Sequence, residues 1–434
     1  MPSPSSAPTR VRYTVLGFTL ALTAISYLDR VRISMAAPAI KSDLGLSDTQ
    51  MGYVFSAFML SYALFEIPAG WMADRFGPRL TLVRIVAWWT IMSALTGMAA
   101  GLWSLFLIRL LFGMGEAGTF PGLSRVFVRW LPPREHGRAF GLALMLGALA
   151  GALSQPLMAA LLSAISWRWV FPMFSLLGLV WIVLWLPFFR DNPHDHPGVN
   201  AGELELIGSD PPSPQPSVPW RALLGNRNMI ALCLICGSWL YGWYFWLTWL
   251  PSYLLRAHGF DLKAAGWLAA VPLVCSAFGL FGGGWVSDAL TKRWGARHGR
   301  RMPALVCLPL AVLAIFSGIA ATQPTHAALL LSAAAGLAAL SLSPIFAVCL
   351  EIGGRHAGVV TGVMNMVGNL FGALSPVVVG WCVEHLSSWN IPLMTIAGLY
   401  LFAALCWLIV DPAVRIQSPG LKQHDALRQS KPVA

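Results

Sequence analysis

The sequence predicts an all-α membrane protein: twelve transmembrane helices in two pseudo-symmetric six-helix bundles, with both termini in the cytoplasm. Three observations predict it. First, the chain is too poor in charge to hold a water-facing surface. Of its 434 residues 57% are apolar and 11% are charged, and the mean hydropathy is +0.66, against roughly 25% charged residues in soluble domains. Second, apolar runs of about 20 residues, enough to cross a bilayer, recur from end to end. Third, Lys and Arg gather on one side of those runs. This excludes a cytosolic enzyme, a secreted disulfide scaffold and a disordered chain.

The first run, 13–38, follows Arg10 and Arg12 and contains Ala37-Pro38-Ala39, the outline of a signal peptide. It also contains Asp29 and Arg30 and introduces eleven further runs, so it reads as an uncleaved helix. The next runs are 50–72, 80–100, 103–125, 138–163 and 168–189. Residues 190–228 hold Asp191, Asp195, Glu203, Glu205 and Asp210, then Pro211, Pro212, Pro214, Pro216 and Pro219, and read as a cytoplasmic linker. Six more runs follow at 229–255, 264–290, 303–321, 326–350, 356–382 and 390–410. The expected organisation is therefore a tail of 1–12, a bundle of 13–189, the linker 190–228, a bundle of 229–411 and a tail of 412–434.

Positive charge orients the runs. Of 29 Lys and Arg, the segments on the side of the N-terminus hold 22, and the opposite side holds Lys41, Arg168, Arg256 and Lys263. Arg30, Arg32 and Arg109 lie inside runs. The net charge of +11 is then accounted for by topology and contact with anionic lipid, and nucleic acid is not an expected partner. The expected location is the cell inner membrane, as a multi-pass monomer.

A local signature recurs. Gly70-Trp71-Met72-Ala73-Asp74 closes the second run, and Gly284-Trp285-Val286-Ser287-Asp288 closes the eighth, which is second in its half. Glycine lets helices approach closely, and an Asp at a helix end pairs with Arg or accepts from a neighbouring helix N-terminus. Any single loop charge is as readily a solvated one. The repeated spacing favours a gating latch built on Gly70, Asp74, Arg75, Gly77, Arg79 and Asp288, and marks a duplicated six-helix unit.

Gly70, Asp74, Arg75, Gly77 and Arg79 make the chain resemble the major facilitator superfamily, with Pro78 at a position that is usually basic. Further stretches sharpen the likeness: Tyr27-Leu28-Asp29-Arg30, Met51 through Phe58, Arg109 through Pro121, Phe245 through Pro251, and Thr361 through Asn365. They resemble the anion:cation symporter family, which includes bacterial galactonate, glucarate and hexuronate permeases and the vesicular glutamate and sialic acid carriers. The resemblance implies two rocking bundles around a central site and proton-driven uptake of organic anions.

Charged groups inside the membrane each cost several kcal/mol unless paired or hydrated. Asp29 and Arg30 adjoin in the first run, and Arg109 and Glu116 stand seven residues apart in the fourth. At 3.6 residues per turn the latter two share a helix face, about 10 Å apart along the axis. They read either as internal ion pairs that hold a bundle together or as a site. As a site, Arg30 and Arg109 bind an anionic substrate, since guanidinium matches carboxylate in bidentate geometry. Asp29 and Glu116 are the proton-coupling groups, and protonation of Asp29 frees Arg30 for the substrate. Tyr27, Tyr62 and Asn365 are further candidate contacts, Asn369 reads as a helix–helix hydrogen bond, and the aromatic run Trp243, Tyr244, Phe245, Trp246 and Trp249 reads mainly as packing or an interfacial belt. Arg32 is expected to snorkel to the outer interface, and Glu66 reads equally as a proton site or as a partner for a cytoplasmic Arg.

Gly147 stands about where the sugar-acid carriers place a glutamine, and the tenth run offers only Ser341 and Ser343. The expected substrate is an organic carboxylate, with a sugar acid such as an aldonate or hexuronate first and an aromatic or short aliphatic acid or dicarboxylate as the alternative. No Gly-x4-Gly-Lys-Ser/Thr loop is present, so ATP has no seat. Cys233 and Cys236 lie in an apolar run without a second pair, and His194 and His196 are a weak metal signal. The chain is expected to use no metal and no cofactor beyond the proton gradient. A cation or drug exporter is disfavoured by the arginines, and a membrane-embedded enzyme or sensor is the rival of another class.

Overall fold

A computed structural model of the chain describes residues 7–208 and 220–412, except the side chains of Ala73, Asp74, Pro133, Ala222 and Arg355. The proline-rich part of the linker and the C-terminal tail lie outside the described residues. Among the described residues there are α-helices, short 3-10 turns and no β-strand. The helices are α1 Val11–Leu44, α2 Asp48–Phe76, α3 Pro78–Thr96, α4 Leu102–Glu116, α5 Thr119–Trp130, α6 Pro133–Leu162 and α7 Trp167–Phe188. The short α8 Ala201–Ile207 and α9 Trp220–Leu224 follow. The second half has α10 Arg227–Thr248, α11 Leu250–Ala257, α12 Leu262–Ala320, α13 Pro324–Leu340, α14 Leu342–Gly353, α15 Ala357–Gly372, α16 Leu374–Leu386 and α17 Asn390–Trp407.

Helix ends follow local chemistry. Ser47 and Gln50 form a reciprocal capping box at the start of α2, which satisfies two otherwise orphan N–H groups. Asp261 caps α12 by accepting from Ala264 N at 2.6 Å, and Gly45 ends α1 in the left-handed conformation. Nine stretches are long and apolar enough to cross a bilayer among the described residues. The sequence reading counts twelve, and the difference has three sources. Arg79 and Arg84 dilute the 19 residues of α3, the fourth rod is interrupted between α4 and α5, and α12 runs through a turn at Gly295 that the sequence reads as a loop between two spans.

That turn repeats one in the first half. Gly77 has φ 77° and ψ 156°, and Gly295 has φ 78° and ψ 164°, a backbone region open essentially to glycine alone. Asp191, just after α7, accepts from Arg79 N at 2.9 Å and so caps α3. Asp411, just after α17, lies 3.7 Å from Arg297 Nε. The duplicated sequence signature is thus matched by duplicated geometry. The linker is tied in as well: buried Glu203 of α8 accepts from Val11 N, Arg12 N and Arg12 Nη1, the last at 3.0 Å, and caps α1.

The halves touch mainly through α2 with α15 and α16, α6 with α12, and α1 with α10 and α11. Most of this contact is at the end of the molecule away from the termini. There Gly52 faces Pro376 O, Gly380 faces Asp48 O and Gly266 faces Ala159, each too close to admit a side chain. Asp48 pairs with Lys41 and, across the halves, with Arg256 at 2.6 Å. Thr49 N donates to Glu384 at 2.8 Å, and Ser56 Oγ to Ala373 O at 2.5 Å, at the break between α15 and α16. At the other end α5 packs on α1, α2, α3 and α6, and α14 on α10, α12, α13 and α15, each within its own half. The molecule is sealed at one end and parted at the end that carries the termini.

Candidate substrate site

Two helices of the first half build the site, and helical geometry decides the pairs. Adjacent residues on a helix point about 100° apart, whereas residues three or four apart share a face. Asp29 and Arg30 therefore diverge. Arg30 lies on the face of Ser26, and Arg30 Nε and Ser26 Oγ both donate to Glu116 Oε1 of α4, the former at 2.8 Å. Asp29 lies instead on the face of Arg32, whose Nη1 is 2.8 Å from Asp29 Oδ1. The expected internal pair of Asp29 with Arg30 is corrected on this point: the counterion of Arg30 is Glu116. Arg32 does not snorkel. Its side chain is 1% exposed and sits 4.9 Å from the Phe171 ring.

Of Arg30 and Arg32, Arg30 is the less deeply buried and has an unused, buried donor. The Arg30 side chain is 14% exposed, against 2% for Asp29, and its Nη2 has no hydrogen-bond partner. The second oxygen of Glu116 also has none. Tyr62, Tyr27 and Phe58 wall the guanidinium, with ring centres at 4.5, 5.4 and 5.4 Å, a cation–π setting that holds an arginine without neutralising it. Arg109 shares the buried face of α4 with Glu116. It stacks on Phe112 at 4.6 Å and Phe58 at 4.9 Å, and no carboxylate reaches ion-pair distance of it among the described residues. Close packing fixes these positions: at Gly113 an added Cβ would lie 2.2 Å from Phe58 O, so α4 presses against α2 with no side chain between. Glu116 ends α4, where Thr119 Oγ1 accommodates its carbonyl at 2.7 Å as the helix breaks.

The second half contributes amides rather than charges. Asn365 Nδ2 donates to both oxygens of Glu66, at 2.9 Å each, across the gap between α15 and α2. Asn369 Nδ2 donates to Asn365 O at 2.9 Å, and Tyr244 Oη donates to Asn369 Oδ1. Gly147 of α6 lies against Tyr27, whose ring carbons would stand 2.7–2.8 Å from an added Cβ. The aromatic ring thus occupies the space that a glutamine side chain would need.

The residues assigned to a latch stay within their own halves. Gly70 is in ordinary contact with Pro121, Arg75 stacks on Trp71 at 5.2 Å, and Gly77 and Arg79 meet Asp191 as described, with Arg79 Nη2 also donating to Leu186 O. Asp288 accepts from Arg300 at 2.5 Å, and Arg300 bridges on to Glu351 at 2.8 Å. The side chain of Asp74 lies outside the described residues. Sequence reasoning missed Ser26, whose signal was a hydroxyl one turn from Arg30, and the joining of Glu66 to Asn365, which no spacing within one helix reveals.

Comparison with known proteins agrees with this architecture. The family model for the Major Facilitator Superfamily matches residues 19–376 and again 289–433. The chain is 35% identical to a probable sulfoacetate transporter of Cupriavidus necator, covering 95% of this chain and 97% of the relative. It is 31% identical to the hexuronate transporter of Bacillus subtilis, covering 90% and 92%, and 32% identical to a probable galactarate/D-glucarate transporter of Escherichia coli, covering 93% and 94%. Among solved structures it resembles a bacterial homolog of the human lysosomal transporter Spinster, inward-facing and occupied, with a TM-score of 0.70, 22% identity and coverage of 99% and 100%. It also resembles a D-xylose-proton symporter, with a TM-score of 0.75, 13% identity and coverage of 94% and 99%. At these identities the structural likenesses speak for the fold alone.

Proposed function

The chain belongs to the major facilitator superfamily, and from that premise we propose that it imports a small organic anion across the cell inner membrane by proton symport and alternating access. It is a multi-pass membrane transporter and not an enzyme. The parted end, where the termini lie, is assigned to the cytoplasm because Lys and Arg concentrate there.

The observation that carries the reading is the Arg30–Glu116 pair: a slightly exposed guanidinium with a buried, unpartnered nitrogen, tied to a buried carboxylate with an unpartnered oxygen. Three guanidiniums, Arg30, Arg32 and Arg109, face two carboxylates, Asp29 and Glu116. The surplus charge attracts an anion. Two unit charges 4 Å apart attract by about 4 kcal/mol at an effective dielectric of about 20. When Glu116 takes a proton, Arg30 loses its charged partner, and a carboxylate or sulfonate takes the vacated fork in bidentate geometry. For a monoanion the incoming charge replaces the one that protonation removed; a dianion such as sulfoacetate brings one negative charge more, which the surplus guanidinium charge offsets. On the side with fewer protons Glu116 ionises, recaptures Arg30 and evicts the anion. Asp29 and Arg32 stay paired behind the site, and Arg109 adds field without direct contact.

The walls favour a short anion over a polyol. Tyr27, Phe58 and Tyr62 enclose the guanidinium, Gly147 offers no side-chain donor, and Asn369 and Tyr244 are engaged with each other. The identity with a probable sulfoacetate transporter supports that choice. A sugar acid is the second reading, favoured by the hexuronate and galactarate/D-glucarate relatives. The test is uptake into proteoliposomes of sulfoacetate, galacturonate, galactarate and glucarate, with and without an inward proton gradient. Uptake of sulfoacetate that collapses with a protonophore is expected. Failure of all four, or indifference to the gradient, refutes the reading.

A further inference from the structure

Glu66 lies one turn beyond Tyr62 on α2, and Tyr62 covers Arg30. Four residues bring Glu66 onto the same face, about 6 Å along the axis from the site. No Lys or Arg reaches ion-pair distance of it among the described residues. Its hydrogen-bond partner is the Asn365 amide of the opposite half, which meets both carboxylate oxygens at 2.9 Å. The ionisable or charged groups that act on it are Arg30 from α1, Tyr62 on its own helix, and Tyr244 and Cys236 from α10.

We infer that Glu66 is an internal stand-in for the cargo: in the empty carrier its carboxylate occupies the Asn365 amide and ties α2 to α15, and an arriving anion displaces it. Three features of the geometry converge on this. The contact is isolated from the seal, because the other hydrogen bonds of α2 to the second half start from Asp48, Thr49 and Ser56, the last about 15 Å away along the helix. The partner is exchangeable, because a neutral amide holds a carboxylate less firmly than a guanidinium does and offers the same bond to any other. The amide is also pre-aimed, since Asn369 and Tyr244 hold the α15 backbone at Asn365. Charge completes the argument. Beyond the two carboxylates of the site itself, Glu66 partly offsets the surplus positive charge while the site is empty. A cargo carboxylate on Arg30 brings the same charge to within a helical turn, where the two repel. The inference deepens the anion-carrier reading and rests on it for its binding arm.

The test has two arms. In the first, binding of sulfoacetate to purified protein is measured by calorimetry for wild type, Glu66→Gln and Asn365→Ala. Glu66→Gln is expected to bind about a hundredfold tighter, the effect of removing a like charge a helical turn away at an effective dielectric of about 20. Asn365→Ala is expected to bind more weakly than wild type, because the cargo loses the amide. Unchanged or weaker affinity in Glu66→Gln overturns the stand-in and leaves a structural clamp.

The second arm needs no ligand. Nitroxides at Gly137→Cys and Gly358→Cys, positions on α6 and α15 where an added Cβ meets open space, report the gap between the halves by pulsed electron resonance. The accessible Cys233, Cys275 and Cys307 are changed to Ser in this background. Glu66→Ala is expected to lengthen or broaden the distance distribution, and an unchanged distribution overturns the tie. If wild type binds no sulfoacetate while the distribution shifts, the substrate reading fails and the tie stands.

Discussion

The exchange of partners at Arg30 makes a quantitative prediction for Glu116→Gln. The substitution keeps the shape of the side chain and an acceptor oxygen for Ser26 and Arg30 Nε, but it removes the charge. A hydrogen bond to a charged group contributes about 1.5–3 kcal/mol, against about 1 kcal/mol for a neutral pair. The internal competitor for Arg30 is thus weakened by about 1.4 kcal/mol, which is about tenfold in affinity. The variant is expected to bind sulfoacetate about tenfold tighter at pH 8. Between pH 8 and pH 6 the affinity of wild type should change more than that of the variant, in which Glu66 remains as the carboxylate next to the site. Calorimetry at the two pH values measures both effects. In proteoliposomes the variant should exchange internal for external anion yet fail to accumulate it against a gradient, since the group that carries the proton is gone. Accumulation equal to wild type, with the same response to an imposed pH gradient, refutes the assignment of coupling to Glu116.

Three further substitutions test the surroundings. Asp29→Asn leaves Arg32 buried without a charged partner, which costs about 3–5 kcal/mol; a fall in Tm is expected, largely recovered in Asp29→Asn with Arg32→Met, and an undiminished Tm contradicts the pairing. Gly77→Ala adds a Cβ 2.9 Å from the Asp191 carboxylate in a backbone region that costs about 1–3 kcal/mol for other residues, so Tm should fall further than in Gly295→Ala, which bears the same backbone strain with nothing within 4 Å. Gly147→Ala drives the Tyr27 ring from its place beside Arg30; overpacking of about 1–3 kcal/mol predicts sulfoacetate binding weaker by about fivefold to about a hundredfold in calorimetry.

The parts of this molecule that were legible in the sequence are those governed by composition and period. Apolar runs mark the rods, the Lys and Arg bias marks one end, and the Gly-Trp-x-x-Asp repeat marks the two turns at Gly77 and Gly295. The shared face of Arg109 and Glu116 follows from a seven-residue spacing. What was not legible depended on three-dimensional facts that no single helix carries. Asp29 and Arg30 adjoin in sequence, which suggests a pair, but the helix turns them apart and the partners come from Glu116 on α4 and from Arg32 one turn on. The burial of Arg32 follows from the length of α1. An apolar run ending at 38 puts Arg32 six residues, about 9 Å, from the edge, within reach of water for a long side chain. The helix continues past Pro38 to Leu44, which moves Arg32 about 18 Å from the end.

The distribution of contacts also bears on how so small a cargo could move so large a structure. To take a two-state equilibrium from 1:99 to 99:1 a ligand must favour one state by about 5.5 kcal/mol. Across the sealed end the halves are joined by the ion pair of Asp48 with Arg256 and the hydrogen bonds of Thr49 with Glu384 and Ser56 with Ala373. At about 1 kcal/mol each for such contacts, these sum to the same order as the shift required. Further sealing contacts, backbone against backbone or methyl at Gly52, Gly380 and Gly266 and ring against ring at Phe55 with Trp249, add packing without a desolvated charge that would have to be rehydrated on opening. The expensive charges, Asp29, Arg32, Arg109 and Glu116, are buried and confined within one half. A carrier arranged in this way places its electrostatic work at Arg30 and leaves the rocking step nearly balanced, so that the proton and the anion together decide its direction.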